Sequence, residues 1–198
     1  MSDIICVTAR NLCGGDFLEQ LAKIAEAAPK YIVLREKELD ESEYRALAEK
    51  AIEICSNSET KLILHYYWKA AIELGSDSIH LPLHILRELA AEYKRRFSLI
   101  GASCHSVEDA LEAKALGAGY ITAGHVFATD CKKGLPPRGL DFLREVCQNV
   151  DIPVYAIGGI SPENFSQVME AGASGACVMS GFMKSAQPKE LMSKFNRK

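Results

Sequence analysis

No uninterrupted apolar stretch in this 198-residue chain approaches 18 residues, which excludes a membrane-spanning helix. Charge of one sign is scarce as well: the formal net charge is -3, the sequence pI is ≈ 6.0, and the densest basic runs are Lys94-Arg95-Arg96 and Lys132-Lys133. Without a broad basic field or a helix-turn-helix-like segment, nucleic acid is not an expected partner. The seven cysteines (Cys6, Cys13, Cys55, Cys104, Cys131, Cys147 and Cys177) are odd in number and include no C-x-x-C pair. Neither a disulfide framework nor a structural zinc site is therefore expected. Most of them fall inside apolar strands or helices, where a reduced thiol serves as a small core residue; Cys131, in a polar loop, is the exception. A charged n-region and a cleavage site are also missing, because Met1-Ser2-Asp3 leads directly into Ile4-Ile5-Cys6-Val7. The expected location is the cytoplasm.

What the chain does have is enough apolar material for one large core, 48% of its residues, organised with a clear rhythm. Short β-branched runs alternate with longer amphipathic stretches: Ile4 to Thr8, Tyr31 to Arg35, Lys61 to His65, Ser78 to Leu81, Leu99 to Cys104, Tyr120 to Ala123, Pro153 to Ile157 and Gly175 to Met179. Each run is too apolar to face water on either side, the mark of parallel strands covered by helices. Helix starts are written in Asp40-Glu41-Ser42-Glu43, Ser106-Val107-Glu108-Asp109 and Ser161-Pro162-Glu163, and stops in Gly75, Gly117 and Gly172. Eight strand-helix repeats predict an α/β fold, a single (β/α)8 TIM barrel domain over residues 1–198, with short loops everywhere except Gly124 to Gly139.

In such a barrel the functional groups stand just after the strands. Here those residues are Arg35, Lys37, His65, His80, His105, His125, Gly158, Gly159, Met179, Ser180 and Gly181. Glycines after strands seven and eight allow backbone amides to approach a phosphate. Arg35 and Lys37, two apart on an extended segment, share a side and can hold an anion, with a solvated charge cluster involving Glu36, Glu38 and Asp40 as the competing account. His80 and His105 are expected to be hydrogen-bonded structural residues. Because almost no carboxylate follows a strand, no catalytic metal is expected. His125 opens the long loop and is placed for proton transfer near neutral pH, with Lys132 and Lys133 on a lid above it.

These residues also carry a resemblance. The segment Gly124-His-Val-Phe-Ala-Thr-Asp-Cys-Lys-Lys-Gly-Leu-Pro-Pro-Arg-Gly139 and the segment Ala156-Ile-Gly-Gly-Ile160 resemble the thiazole tautomerases (TenI-like proteins), and the whole chain, from Cys6-Val-Thr to Val178-Met-Ser-Gly, resembles the wider thiamine phosphate synthase superfamily. The resemblance implies a cofactor-independent isomerase that aromatises a carboxylated, phosphorylated thiazole precursor, with His125 as proton carrier. Arg35, Lys37, Gly158, Gly159, Met179, Ser180 and Gly181 would bind the substrate. Synthases carry magnesium carboxylates after strands three and four, where this chain reads Leu64-His65-Tyr66 and Pro82-Leu83-His84-Ile85. The alternatives are a synthase-like transferase and a non-enzymatic regulator. A homodimer or higher homo-oligomer is compatible with a barrel this small, and the sequence does not decide it.

Overall fold

The computed structural model describes residues 3–195, so the reading of Met1 and Ser2 lies outside it. Eight parallel strands close a barrel in chain order: β1 (Asp3–Val7), β2 (Tyr31–Leu34), β3 (Lys61–His65), β4 (Ser78–Pro82), β5 (Leu99–Cys104), β6 (Tyr120–Gly124), β7 (Val154–Ile157) and β8 (Gly175–Val178). The seam is β1 on β8, with Ile5 opposite Cys177. The expected TIM barrel is the observed fold, and its strands fall within a residue or so of the apolar runs.

Among the described residues ten helices surround it: α1 (Phe17–Glu26), α2 (Glu41–Ser56), α3 (Trp68–Glu73), α4 (Leu83–Glu88), α5 (Ala91–Lys94), α6 (Val107–Ala115), α7 (Gly139–Asn149), α8 (Phe165–Glu170), α9 (Ser180–Lys184) and α10 (Pro188–Phe195). Asp40 opens α2 through a reciprocal capping box with Glu43, and the Ser106 hydroxyl accepts from the Asp109 N–H at 3.0 Å. Ser161, by contrast, does not cap α8. Residues 161–164 form a turn in which the Asn164 side chain accepts from the Ser161 N–H at 3.0 Å and donates to the Gly159 carbonyl at 2.9 Å, so the helix begins only at Phe165. The repeat is also looser than eight helices, since β4 and β8 are each followed by two short ones. Gly75, Gly117 and Gly172 end their helices at φ +68°, +93° and +97°, backbone that a side chain resists.

The continuous hydrophobicity of the strands has the expected cause. Ile4, Cys6, Ile32, Leu34, Leu64 and Ile79 pack outward under the helices, while Ile5, Val7, Val33, Ile63 and Cys177 fill the barrel itself. The lower interior is plugged by aromatics, with the Tyr120 ring 5.9 Å from Tyr31 and 5.7 Å from Tyr155. Beneath them, at the N-terminal end, Asp3 accepts from Lys30 and from the Tyr155 hydroxyl. The cysteines are free thiols; Cys6, Cys55, Cys104 and Cys177 are buried, and burial pushes each of those thiols up. Among the described residues no helix is long and apolar enough to cross a membrane.

Candidate active site

The upper end of the barrel opens into a cavity of ≈ 810 Å³, and the residues expected after each strand converge on it. Arg35, Lys37, His65, His80, His105, His125, Gly158, Gly159, Met179 and Ser180 all contribute to its wall. Gly181 does not. It sits one residue into α9, where a Cβ would come 2.9 Å from Val178 Cγ1.

Arg35 and Lys37 follow β2 on a loop whose backbone is fastened from below. Thr8, after β1, accepts from the Arg35 N–H at 2.9 Å and donates its hydroxyl to Glu36, whose other oxygen accepts from the Arg10 N–H at 2.9 Å. Glu36 is thus buried rather than solvated, which corrects the charge-cluster account of Arg35-Glu36-Lys37. Burial raises its pKa, against the lowering effect of the Thr8 and Arg10 hydrogen bonds. Glu38 pairs with Arg10 at 2.7 Å and Asp40 caps α2, so neither is spent on the two cations. Among the described residues no ion pair involves Arg35 or Lys37. Burial, then the charges of Arg35 and Lys132, lower the Lys37 pKa. The chain is mildly acidic overall, yet this wall holds cations without counter-ions, an arrangement that favours an anionic ligand.

The long loop lies over the same wall. Its stem runs on beside β7, with the Val126 N–H donating to the Ile157 carbonyl at 2.9 Å and the Phe127 N–H to the Gly158 carbonyl at 3.0 Å. At its far end Arg138 N–H reaches back to the His125 carbonyl at 3.0 Å. Thr129, Cys131 and Lys132 face the cavity, whereas Lys133 is turned away beside Asp130, at 3.8 Å. The pair Gly158-Gly159 is required by this approach: both have positive φ, and a Cβ on Gly158 would overlap the His125 side chain and stand 2.7 Å from its Cα. The glycines here thus answer a packing demand, which the sequence pattern did not disclose.

Three histidines are held differently. His80 is fully buried, with Nδ1 3.0 Å from the Tyr120 hydroxyl and Nε2 2.9 Å from that of Ser103; burial, then Arg35, hold its pKa down to about 3. His105 turns Nδ1 to the Gly124 carbonyl at 2.9 Å. Both are hydrogen-bonded, as expected for structural roles. His125, half-buried at the lip, meets the Leu135 carbonyl through Nε2 at 3.3 Å, which makes Nε2 the protonated nitrogen and leaves Nδ1 as the basic one. Among the described residues two carboxylates reach the cavity, and both are engaged: Glu36 as above, and Asp109, which accepts from the His105 N–H at 2.8 Å. Among the described residues no three His, Cys, Asp or Glu side chains are grouped as metal ligands.

A closed parallel barrel whose mouth is cationic and rimmed by glycine turns belongs to the class of barrels that handle anionic small molecules. The family model described as "Thiamine monophosphate synthase" matches residues 4–182, and the chain belongs to that family. It is 33% identical over 184 residues to the thiamine-phosphate synthase of Alkaliphilus oremlandii, covering 90% of this chain and 86% of that one. The corresponding enzyme of Syntrophomonas wolfei is 34% identical over 184 residues, with 89% and 86% covered. Among solved structures, the thiamine phosphate pyrophosphorylase from Pyrococcus furiosus superposes with a TM-score of 0.83 at 27% identity, covering 98% and 93%. These names are those of the transferase, the alternative weighed above, and not of the isomerase that the Gly124–Gly139 segment resembles.

The magnesium of such a transferase does not fit the residues present. That cation takes carboxylate and phosphate oxygens in near-octahedral order. The ends of β3 and β4 offer His65, Tyr66 and Tyr67, then Pro82, Leu83 and His84, and the two carboxylates that reach the cavity are already bound to protein groups.

Proposed function

We propose that the protein is a cofactor-independent isomerase of this family, which aromatises a thiazole precursor carrying a ring carboxylate and a side-chain phosphate. The observation that carries the reading is the donor set of the cavity: cations without counter-ions and a histidine with a free basic nitrogen, but, among the described residues, no free carboxylate to bind a metal-diphosphate pair. Removing the proton from ring carbon two and returning one to the exocyclic carbon makes the ring aromatic. One imidazole can carry both steps, and His125 Nδ1 is the group we assign to them. Negative charge develops beside the carboxylate as the first proton leaves, and Arg35 or Lys37 stabilises it. The amides around Gly158, Gly159, Met179 and Ser180 hold the phosphate and fix the ring against His125.

The relatives' names favour a second reading, the transfer reaction that forms thiamine phosphate from its two precursors. One pair of assays separates the two. Turnover of the carboxylated precursor, with spontaneous aromatisation subtracted, is expected in the native protein and unaffected by chelator or magnesium; His125→Gln should lower kcat by about 100- to 10,000-fold with product binding nearly intact. A His125→Gln protein that turns over at the native rate refutes the assignment. Magnesium-dependent formation of thiamine phosphate, without isomerisation, establishes the transferase instead.

A further inference from the structure

The floor of the cavity has two halves. Val7, Val33, Ile157 and Cys177 make the part under β1, β2, β7 and β8 apolar, while β3 to β5 bring His65, His80 and Ser103. Of the two floor histidines, His80 has both ring nitrogens occupied by protein hydroxyls. His65 does not. Its ring stacks on His80, 5.9 Å between centroids and 13° between planes, and its side chain pairs with no protein group among the described residues. Only its main-chain N–H is accounted for, donating to the Tyr44 hydroxyl at 2.7 Å.

His65 is 3% exposed, and among the described residues no sealed side-chain nitrogen or oxygen lacks a partner. The unpaired ring edge of His65 therefore opens into the cavity. Strand register puts it beside the cations: Leu34 lies opposite Leu64, so Arg35 is next to His65 across the β2–β3 ladder. A polar group on a cavity wall that has no protein partner is open to pairing with a group of the ligand. Burial, His80, Arg35 and Lys37 hold the imidazole neutral, so it offers a single N–H donor next to two cations that lack counter-ions.

We infer that His65, together with Arg35 and Lys37, forms the subsite for the carboxylate of the substrate, and that His65 is the residue that distinguishes the carboxylated heterocycle from the same ring bearing hydrogen. The inference rests on the isomerase reading for the identity of the anion and deepens it. A planar carboxylate can take an Arg35 hydrogen bond on one side and the His65 N–H on the other, while the phosphate is left to the backbone amides across the barrel.

The test is calorimetric binding of two probes to the full chain: the carboxylated thiazole phosphate and its counterpart with hydrogen at carbon two. The native protein is expected to hold the first more tightly. A hydrogen bond to a charged group is worth ~1.5–3 kcal/mol, so His65→Leu should weaken the carboxylated probe by at least about tenfold while changing the other by less than about twofold. His65→Gln, which keeps an N–H donor, should recover most of the difference. Should His65→Leu fail to fold, His65→Phe keeps the ring without its nitrogens and reads the same quantity. Equal losses for both probes, or none, overturn the inference and leave His65 a packing residue. A native protein that holds the two probes equally overturns it as well, whatever its turnover. A protein that discriminates through His65 yet does not isomerise the precursor retains the subsite and loses the isomerase reading.

Discussion

His80 makes stability depend on pH between its folded value of about 3 and the ordinary histidine value of ~6.5. In the fold its ring is sealed between the Tyr120 and Ser103 hydroxyls, and its pKa is held at about 3 by burial first and by Arg35 second. In the unfolded chain a histidine titrates near ~6.5. Between those values the unfolded state binds the proton and the folded state does not, so the stabilisation is complete above pH ~6.5 and is lost as the pH falls. At pH 5 the chain is one and a half units below the ordinary value, and at ~1.36 kcal/mol per unit the loss through His80 is about 2 kcal/mol. His65, also held neutral, acts in the same direction, whereas Glu36, with its raised pKa, acts in the opposite one. The clean measurement is therefore a comparison. Thermal unfolding at pH 7 and pH 5 is followed for the native protein and for His80→Gln, which keeps a polar side chain but cannot take up the proton. For a chain of this length 1 kcal/mol shifts Tm by about 2–4 °C, so the native protein should lose about 4–8 °C more than the variant between the two pH values. Equal losses in the two proteins would refute the assignment of the acid sensitivity to this ring.

Two further outcomes follow from the loop over the site. Gly158→Ala places a Cβ at φ +101° against His125, so it should destabilise the fold by about 1–3 kcal/mol and lower turnover together, as read by Tm and steady-state rate; a variant with native Tm and rate would show that the loop yields freely. Cys131 lines the cavity as an exposed thiol, but proton transfer needs no covalent intermediate, so Cys131→Ala should keep most of the rate. A loss as deep as that of His125→Gln would put a nucleophile at the centre of the chemistry.

The barrel was legible because its strands are apolar on both faces, a pattern few other arrangements produce, and because residues after strands are positioned by the fold itself. The same double apolarity hides the inside from the outside within a strand, and only the place of His65 at the end of Lys61-Leu-Ile-Leu-His65 marks it for the mouth of the barrel. The partners that occupy His80, itself expected to be structural, could not be named from its strand, because they arrive from β5 and β6, 23 and 40 residues further on. A solvated Glu36 is the competing account because it stands between two cations, and its actual partners, Thr8 and the Arg10 N–H, come from the neighbouring strand's end. Ser161-Pro162-Glu163 reads as a helix start by composition alone; the turn that replaces it is set by Asn164 reaching back to Gly159. In the sequence the isomerase reading rests on the Gly124–Gly139 segment and on the lack of carboxylates after β3 and β4, whereas the relatives' names favour the transferase.

The aromatic plug of Tyr31, Tyr120 and Tyr155, with Asp3 and Lys30 fastened beneath it, turns the barrel into a flask with one neck. Whatever enters must leave by the way it came, past the loop that carries His125. Product cannot drain from the far end while the next substrate arrives at the mouth, so the two exclude each other from a single doorway. Under such traffic the residence time of the product, and not only the speed of proton transfer, limits how often the site can be used. On the proposed function, a tight grip on the product's phosphate would carry a penalty in throughput, and the strength of that grip becomes a property the fold has to keep moderate.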